Sequence, residues 1–149
     1  MSAYADGLKL LARRELSEQQ VRQRLARRGH TDDAIDDAVA RLRAERAIDD
    51  ARTAEAIART ETTLRRRGKR RVRMQIERAG ISSSIAKHAV DETFEAIDLD
   101  ALIEASLARR LSKRGTIADD REAQRLYRYL IGQGFDHDRV QSVLRKHRA

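Results

Sequence analysis

Cysteine, proline and tryptophan are missing from this 149-residue sequence, and two phenylalanines and three tyrosines are its only aromatics. Without cysteine there are no disulfides and no thiolate metal sites, and a reducing compartment is allowed. Average usage would supply about seven prolines in a chain of this length. Proline is the strongest interior breaker of a helix, so its absence fits an almost wholly helical protein. With so few aromatics the cores must be small and built from Leu, Ile, Val and Ala, which suits several little bundles better than one thick globule. No apolar stretch approaches the roughly 18 residues of a membrane span, and the first 30 residues hold no apolar run of signal-peptide length. A cytoplasmic protein without membrane association is therefore expected.

What the chain does have is charge and repetition. Its net charge is +8 and its pI about 10.5, yet 24 acidic residues are present. A mixed surface with a basic bias takes nucleic acid or an acidic protein as its usual partner. Three times, an apolar residue is followed four places later by another and four places after that by glycine: Val21, Leu25, Gly29; Val72, Ile76, Gly80; Leu126, Leu130, Gly134. Each glycine precedes His30, Ile81 or Phe135 and then a helix-capping side chain, Thr31, Ser82 or Asp136. The apolar pair marks the buried face of a helix, and the glycine supplies the left-handed residue that ends it. The Thr, Ser or Asp then caps a second helix. Ile35, Ala86 and Val140 lie four residues past the caps, placed to staple against His30, Ile81 and Phe135.

A further helix precedes each corner. The first is expected over 3–14, with Tyr4, Leu8 and Leu11 on one stripe, and Ser17 with Gln20 forms a capping box for the corner helix. Asp49 or Asp50, Asp98 or Asp100, and Asp119 with Asp120 supply the later starts. Self-similarity at a period near 50 residues reads as a repeat architecture. The expected fold is all-α: three tandem three-helix, helix-turn-helix-like repeats over 1–48, 49–97 and 98–149, with short links and little hinge length.

The densest functional signal is the segment 64–73, in which seven of ten residues are basic: Arg65, Arg66, Arg67, Lys69, Arg70, Arg71 and Arg73. Successive helical residues rotate by about 100°. With Val72, Ile76 and Ala79 on the buried stripe, Arg70 and Arg73 should project to the far side, flanked by Arg71 and Arg78. Such crowding repels itself. It is read either as a binding surface for phosphate or acidic side chains, or as a solvated arginine face. Arg22, Arg24, Arg27 and Arg28 make the first corner helix basic too, diluted by Glu18 and Asp32.

Catalytic chemistry has no foothold in the sequence. Asp32, Asp33, Asp36 and Asp37 fall in the first turns of an expected helix, where carboxylates suit the macrodipole. His30, His88, His137 and His147 lack ligand spacing, and His30 is read as a packed staple residue. Gly68-Lys69 lacks the upstream glycine and following Ser or Thr of a phosphate loop. No enzyme activity, cofactor or metal is expected.

The run Ile48-Asp49-Asp50-Ala51-Arg52-Thr53-Ala54-Glu55-Ala56, the basic segment 65–73 and the closing Gly80-Ile81 resemble the RecX family of bacterial recombination regulators. The opening Leu10-Leu11-Ala12-Arg13-Arg14-Glu15-Leu16-Ser17 is similar to that family's first repeat. Thr53 stands where the family usually has Phe, which should leave the second repeat's core less filled. Lys69 replaces a frequent aromatic and Arg70 a frequent proline. The resemblance implies an elongated, curved array that lodges in the helical groove of the RecA–single-strand DNA filament and inhibits ATP hydrolysis, strand exchange and coprotease activity. It places the protein in DNA repair, homologous recombination and the SOS response. The RecA filament is the implied partner, with single-stranded and also double-stranded DNA, and a monomer is expected. Arg65, Arg66, Arg67, Lys69, Arg70, Arg71, Arg73 and Arg78, with Arg22 and Arg27, would form the contact surface. The other reading is a general, sequence-nonspecific nucleic-acid-binding helical protein; Gln75 alone on the second corner helix offers base readout.

Overall fold

Each of the three glycines ends a helix in the left-handed conformation, with φ of 90° at Gly29, 84° at Gly80 and 98° at Gly134. The computed structural model describes residues 1–149 and contains nine α-helices and no named strand. In order they are α1 (Ala3–Arg13), α2 (Glu18–Arg27), α3 (Asp32–Ala44), α4 (Asp50–Thr63), α5 (Lys69–Arg78), α6 (Ser83–Glu95), α7 (Leu99–Ala108), α8 (Asp120–Gly132) and α9 (His137–Lys146). The protein is all-α. No helix is long and apolar enough to cross a membrane.

Helix starts follow from short polar side chains. The capping box at Ser17 is complete: Ser17 Oγ accepts the Gln20 N–H at 3.1 Å, and the Gln20 side chain accepts the Ser17 N–H at 3.0 Å. Thr31 caps α3 and Ser82 accepts the Ile85 N–H at the start of α6. Of the aspartate alternatives, Asp49 accepts the Arg52 N–H at α4, whereas Asp50 turns to the Glu18 N–H at 2.9 Å. Asp98 caps α7 and Asp119 caps α8. Asp136 stands at the N-cap position of α9 without making a side-chain cap bond.

The chain divides into two compact units, one comprising Met1–Ile57 with Gln75–Ala89 and the other Ala58–Met74 with Val90–Ala149. In the first, α1, α2 and α3 pack on one another around Leu10, Leu16, Val21, Leu25, Ile35, Val39 and Leu42. In the second, α7, α8 and α9 enclose Ile103, Leu107, Leu126, Leu130, Phe135, Val140 and Val143. Aliphatic side chains dominate both cores, and each buried Leu, Ile or Val stabilises by about 1.5–3 kcal/mol. A one-residue parallel bridge between Ile117 and Arg148 ties the loop before α8 to the chain end.

Leu8, expected on the buried stripe of α1, is 40% exposed, and His30 and Thr53 hold partners that the sequence reading did not give them. His30 is not simply a packed staple: its Nε2 lies 2.6 Å from Asp6 Oδ2, and Arg28 reaches the other oxygen at 3.2 Å. Thr53 is buried, and its Oγ1 lies 3.1 Å from both the Glu15 carboxylate and the Asp49 carbonyl. A polar link stands where the resemblance implied an apolar side chain.

Candidate functional site

The basic segment 64–73 lies in the second unit, where α4 ends, a short loop turns, and α5 begins. Three arginines of that loop and helix are committed to the scaffold. Arg67 pairs with Glu61 at 2.9 Å, both side chains nearly buried, and its N–H donates to the Glu61 carbonyl. Arg66 holds a left-handed backbone (φ 54°), and its Nη1 donates to the Ala105 carbonyl at 3.3 Å. A non-glycine residue in that region stores about 1–2 kcal/mol of strain. Arg71 is half-buried and donates from Nη1 to the Gly132 carbonyl at 3.0 Å.

The start of α5 is docked on the end of α8. The Gly68 N–H donates to the Gln133 carbonyl at 2.8 Å and the Arg70 N–H to the Gly134 carbonyl at 3.3 Å. The positive end of α5 and the Arg71 guanidinium thereby meet the last carbonyls of α8, its negative end. A Cβ at Gly68 would come within 2.5 Å of the Gly134 carbonyl oxygen and 2.7 Å of the Phe135 ring. That is why glycine stands in the middle of seven cations.

With these anchors in place, Arg65, Lys69 and Arg70 are left facing water. None of the three has a carboxylate partner, and Lys69 lies 5.9 Å from the centre of the Phe94 ring. Arg73, expected beside Arg70 on the outer face, is half-buried. Leu64, 68% exposed, opens the same loop directly after α4. Arg109 holds that point by donating from Nη2 to the Leu64 carbonyl at 2.7 Å. The sequence reading missed Arg109 because its partner is a backbone carbonyl 45 residues away.

The remaining candidates lie in the first unit. Arg78 and Arg27 are exposed, while Arg22 is bound to Asp36 at 2.7 Å and to Glu18 at 3.3 Å. Its hydrogen bond to Asp36 holds its pKa above the usual arginine value. Of Asp32, Asp33, Asp36 and Asp37, the first two sit in the opening turn of α3, and Asp36 serves Arg22.

Two family descriptions match in tandem: the first three-helix domain of RecX over residues 3–42 and the second over 49–90. The regulatory protein RecX of Chromohalobacter salexigens is 33% identical over 139 residues, covering 93% of this chain and 88% of that protein. The chain belongs to the RecX family. The regulatory protein RecX of Halorhodospira halophila is likewise 33% identical, over 91% of this chain and 82% of its own length. That of Geobacillus thermodenitrificans is longer: at 31% identity, the matched region is 52% of it. The fold agrees with the crystal structure of RecX from Lactobacillus salivarius, with a TM-score of 0.75 at 21% identity over 97% of this chain and 93% of that one. As a RecX-family member the chain is a regulatory protein by kinship.

Proposed function

We propose that this chain is a non-enzymatic regulator that binds the RecA–single-strand DNA filament in its helical groove and inhibits ATP hydrolysis, strand exchange and coprotease activity. The observation that carries the reading is the Arg65, Lys69 and Arg70 cluster, three water-facing cations without carboxylate partners on a rigidly anchored loop and helix start, in a chain of the RecX family. Cations so placed can meet either DNA phosphates or acidic protein side chains in a filament groove. Contacts from three consecutive helical repeats (1–48, 49–97, 98–149) would add avidity, because each further contact becomes intramolecular. The direct test adds the purified protein to RecA assembled on single-stranded DNA and follows ATP turnover. Turnover should fall as the protein approaches saturation; unchanged turnover would refute inhibition.

A second reading, a general nucleic-acid binder, is favoured by the same charge concentration. It separates cleanly, because such a protein would bind naked DNA in a strongly salt-dependent, sequence-indifferent way while leaving a preassembled filament's turnover unaffected.

A further inference from the structure

Helix α8 carries a second basic feature, unrelated to the segment 64–73 in sequence. Its buried face is Leu126 and Leu130. Arg121, Arg125 and Arg128 follow at spacings of four and three, which places them in one file on the opposite side. All three are exposed, and together they line an open depression of about 300 Å³. The neighbouring acids are occupied elsewhere: Asp119 caps the helix, Asp120 pairs with Arg148, and Glu122 accepts the Ala118 N–H. None of the three arginines has an ion-pair partner within the molecule. Like charges at this spacing cost a helix a few tenths of a kcal/mol per pair, and nothing inside the protein offsets that cost.

The file also has a direction. One further step of four reaches Gly132, where a side chain would meet open space. The Gly132 carbonyl is the group that holds the Arg71 guanidinium. The row Arg121, Arg125, Arg128 therefore leads within the second unit to Arg71 and the start of α5, where Arg70 is exposed.

We infer that this file is a seat for the sugar–phosphate backbone of one DNA strand, continuing the exposed Arg65, Lys69 and Arg70 as a single track. Seven residues of helix span about 10 Å, over which one strand at B-form rise presents about three phosphates. Guanidinium groups match phosphate oxygens in bidentate geometry. A single file suits one strand, because a duplex offers two rows of phosphates across a groove about 6–12 Å wide. Bases have no stacking platform beside the file. Tyr127 is turned to His137 at 2.7 Å, and Tyr129 lies under Arg110. Binding is therefore indifferent to base identity. This deepens the proposed function by assigning α8 to DNA rather than to RecA.

The test uses the full chain and a fluorescein-labelled single-stranded oligothymidylate, with anisotropy read over a range of salt. Replacing Arg121, Arg125 and Arg128 together by Gln should weaken binding at least about tenfold and flatten the log K against log salt slope by about 2, at roughly 0.7 per phosphate. Helix content and melting midpoint should be retained. Arg125→Gln alone should flatten the slope by about 0.7, a readout that stands even if the triple variant folds poorly. Wild-type affinity and slope in both variants would overturn the inference. So would intact oligonucleotide binding with lost RecA inhibition, which would assign the file to an acidic protein surface, and so would a larger loss on duplex than on single strand. A wild-type chain that leaves RecA turnover unchanged, yet shows these slopes on DNA, would sink the proposed function and sustain this one.

Discussion

Asp6 is a buried carboxylate whose partners arrive from 22 and 24 residues away. His30 Nε2 must donate to it, because an ionised carboxylate only accepts, and Arg28 donates to its second oxygen. The bond from His30, opposed by partial burial and helped by the Arg28 charge, holds the Asp6 pKa below the ordinary carboxylate value. A depressed carboxylate stabilises the fold above its unfolded pKa, and that stability is lost as pH falls through the folded one. The wild-type chain should therefore be more stable than Asp6→Asn at neutral pH, with the gap closing only in the acid range below the ordinary carboxylate pKa. Thermal midpoints of the two proteins across pH would show this; a gap constant down to pH 3 would contradict it. In the sequence, His30 occupies the position where the other repeats have Ile and Phe, so a hydrophobic staple was the natural expectation. Its actual partner is invisible in any local pattern. Thr53 and Arg67 share that condition: the family resemblance singled out the first and the density of basic residues the second, but only the fold supplied Glu15 and, at a turned loop, Glu61.

Helices and their ends were far more legible, because caps and glycines act within four residues. The left-handed glycines, the Ser17–Gln20 box and the buried pairs all follow from intervals of three to five. What those intervals cannot show is how one helix end meets another. Ser17 illustrates the difference. Its hydroxyl accepts from Gln20 as a cap and also donates to the Ala79 carbonyl at the end of α5, and the residue is fully buried. Ser2 caps α1 in the same way but in the open. Ser17→Ala loses the cap and leaves a buried carbonyl without its donor, so it should cost about 2 kcal/mol. Ser2→Ala should cost about 1 kcal/mol or less. Urea titrations of both variants decide the point. Equal losses would mean that the Ala79 bond contributes nothing.

Across the whole chain, charge is distributed unevenly in a way that composition conceals. The first unit holds 13 basic and 12 acidic side chains, the second 19 and 12, so +7 of the net +8 belongs to the second. Ion pairing sharpens the contrast. In the first unit Arg22, Arg28, Arg41, Arg43 and Arg52 each hold a carboxylate. In the second, Arg65, Lys69, Arg70, Arg121, Arg125 and Arg128 hold none. The sequence shows the basic segment as dense, with Arg70 and Arg73 expected outward and Arg71 flanking them, but it does not show which of these side chains the scaffold uses. Arg71 is bonded to Gly132, so reversing it would disturb the α5–α8 junction as well as the surface. A clean test reverses Arg65, Lys69 and Arg70 to Glu and compares that variant with Lys9, Arg13 and Arg14 reversed to Glu on the first unit. Both shift net charge by the same amount, and all six side chains are exposed. If local cation placement governs filament binding, the first variant should need at least about tenfold more protein for half-inhibition of RecA turnover, as expected when about three phosphate or carboxylate contacts are lost. The second should stay within about threefold of wild type, since net charge alone acts mainly through long-range steering that salt screens. Equal losses would mean that bulk charge, not this surface, drives the encounter.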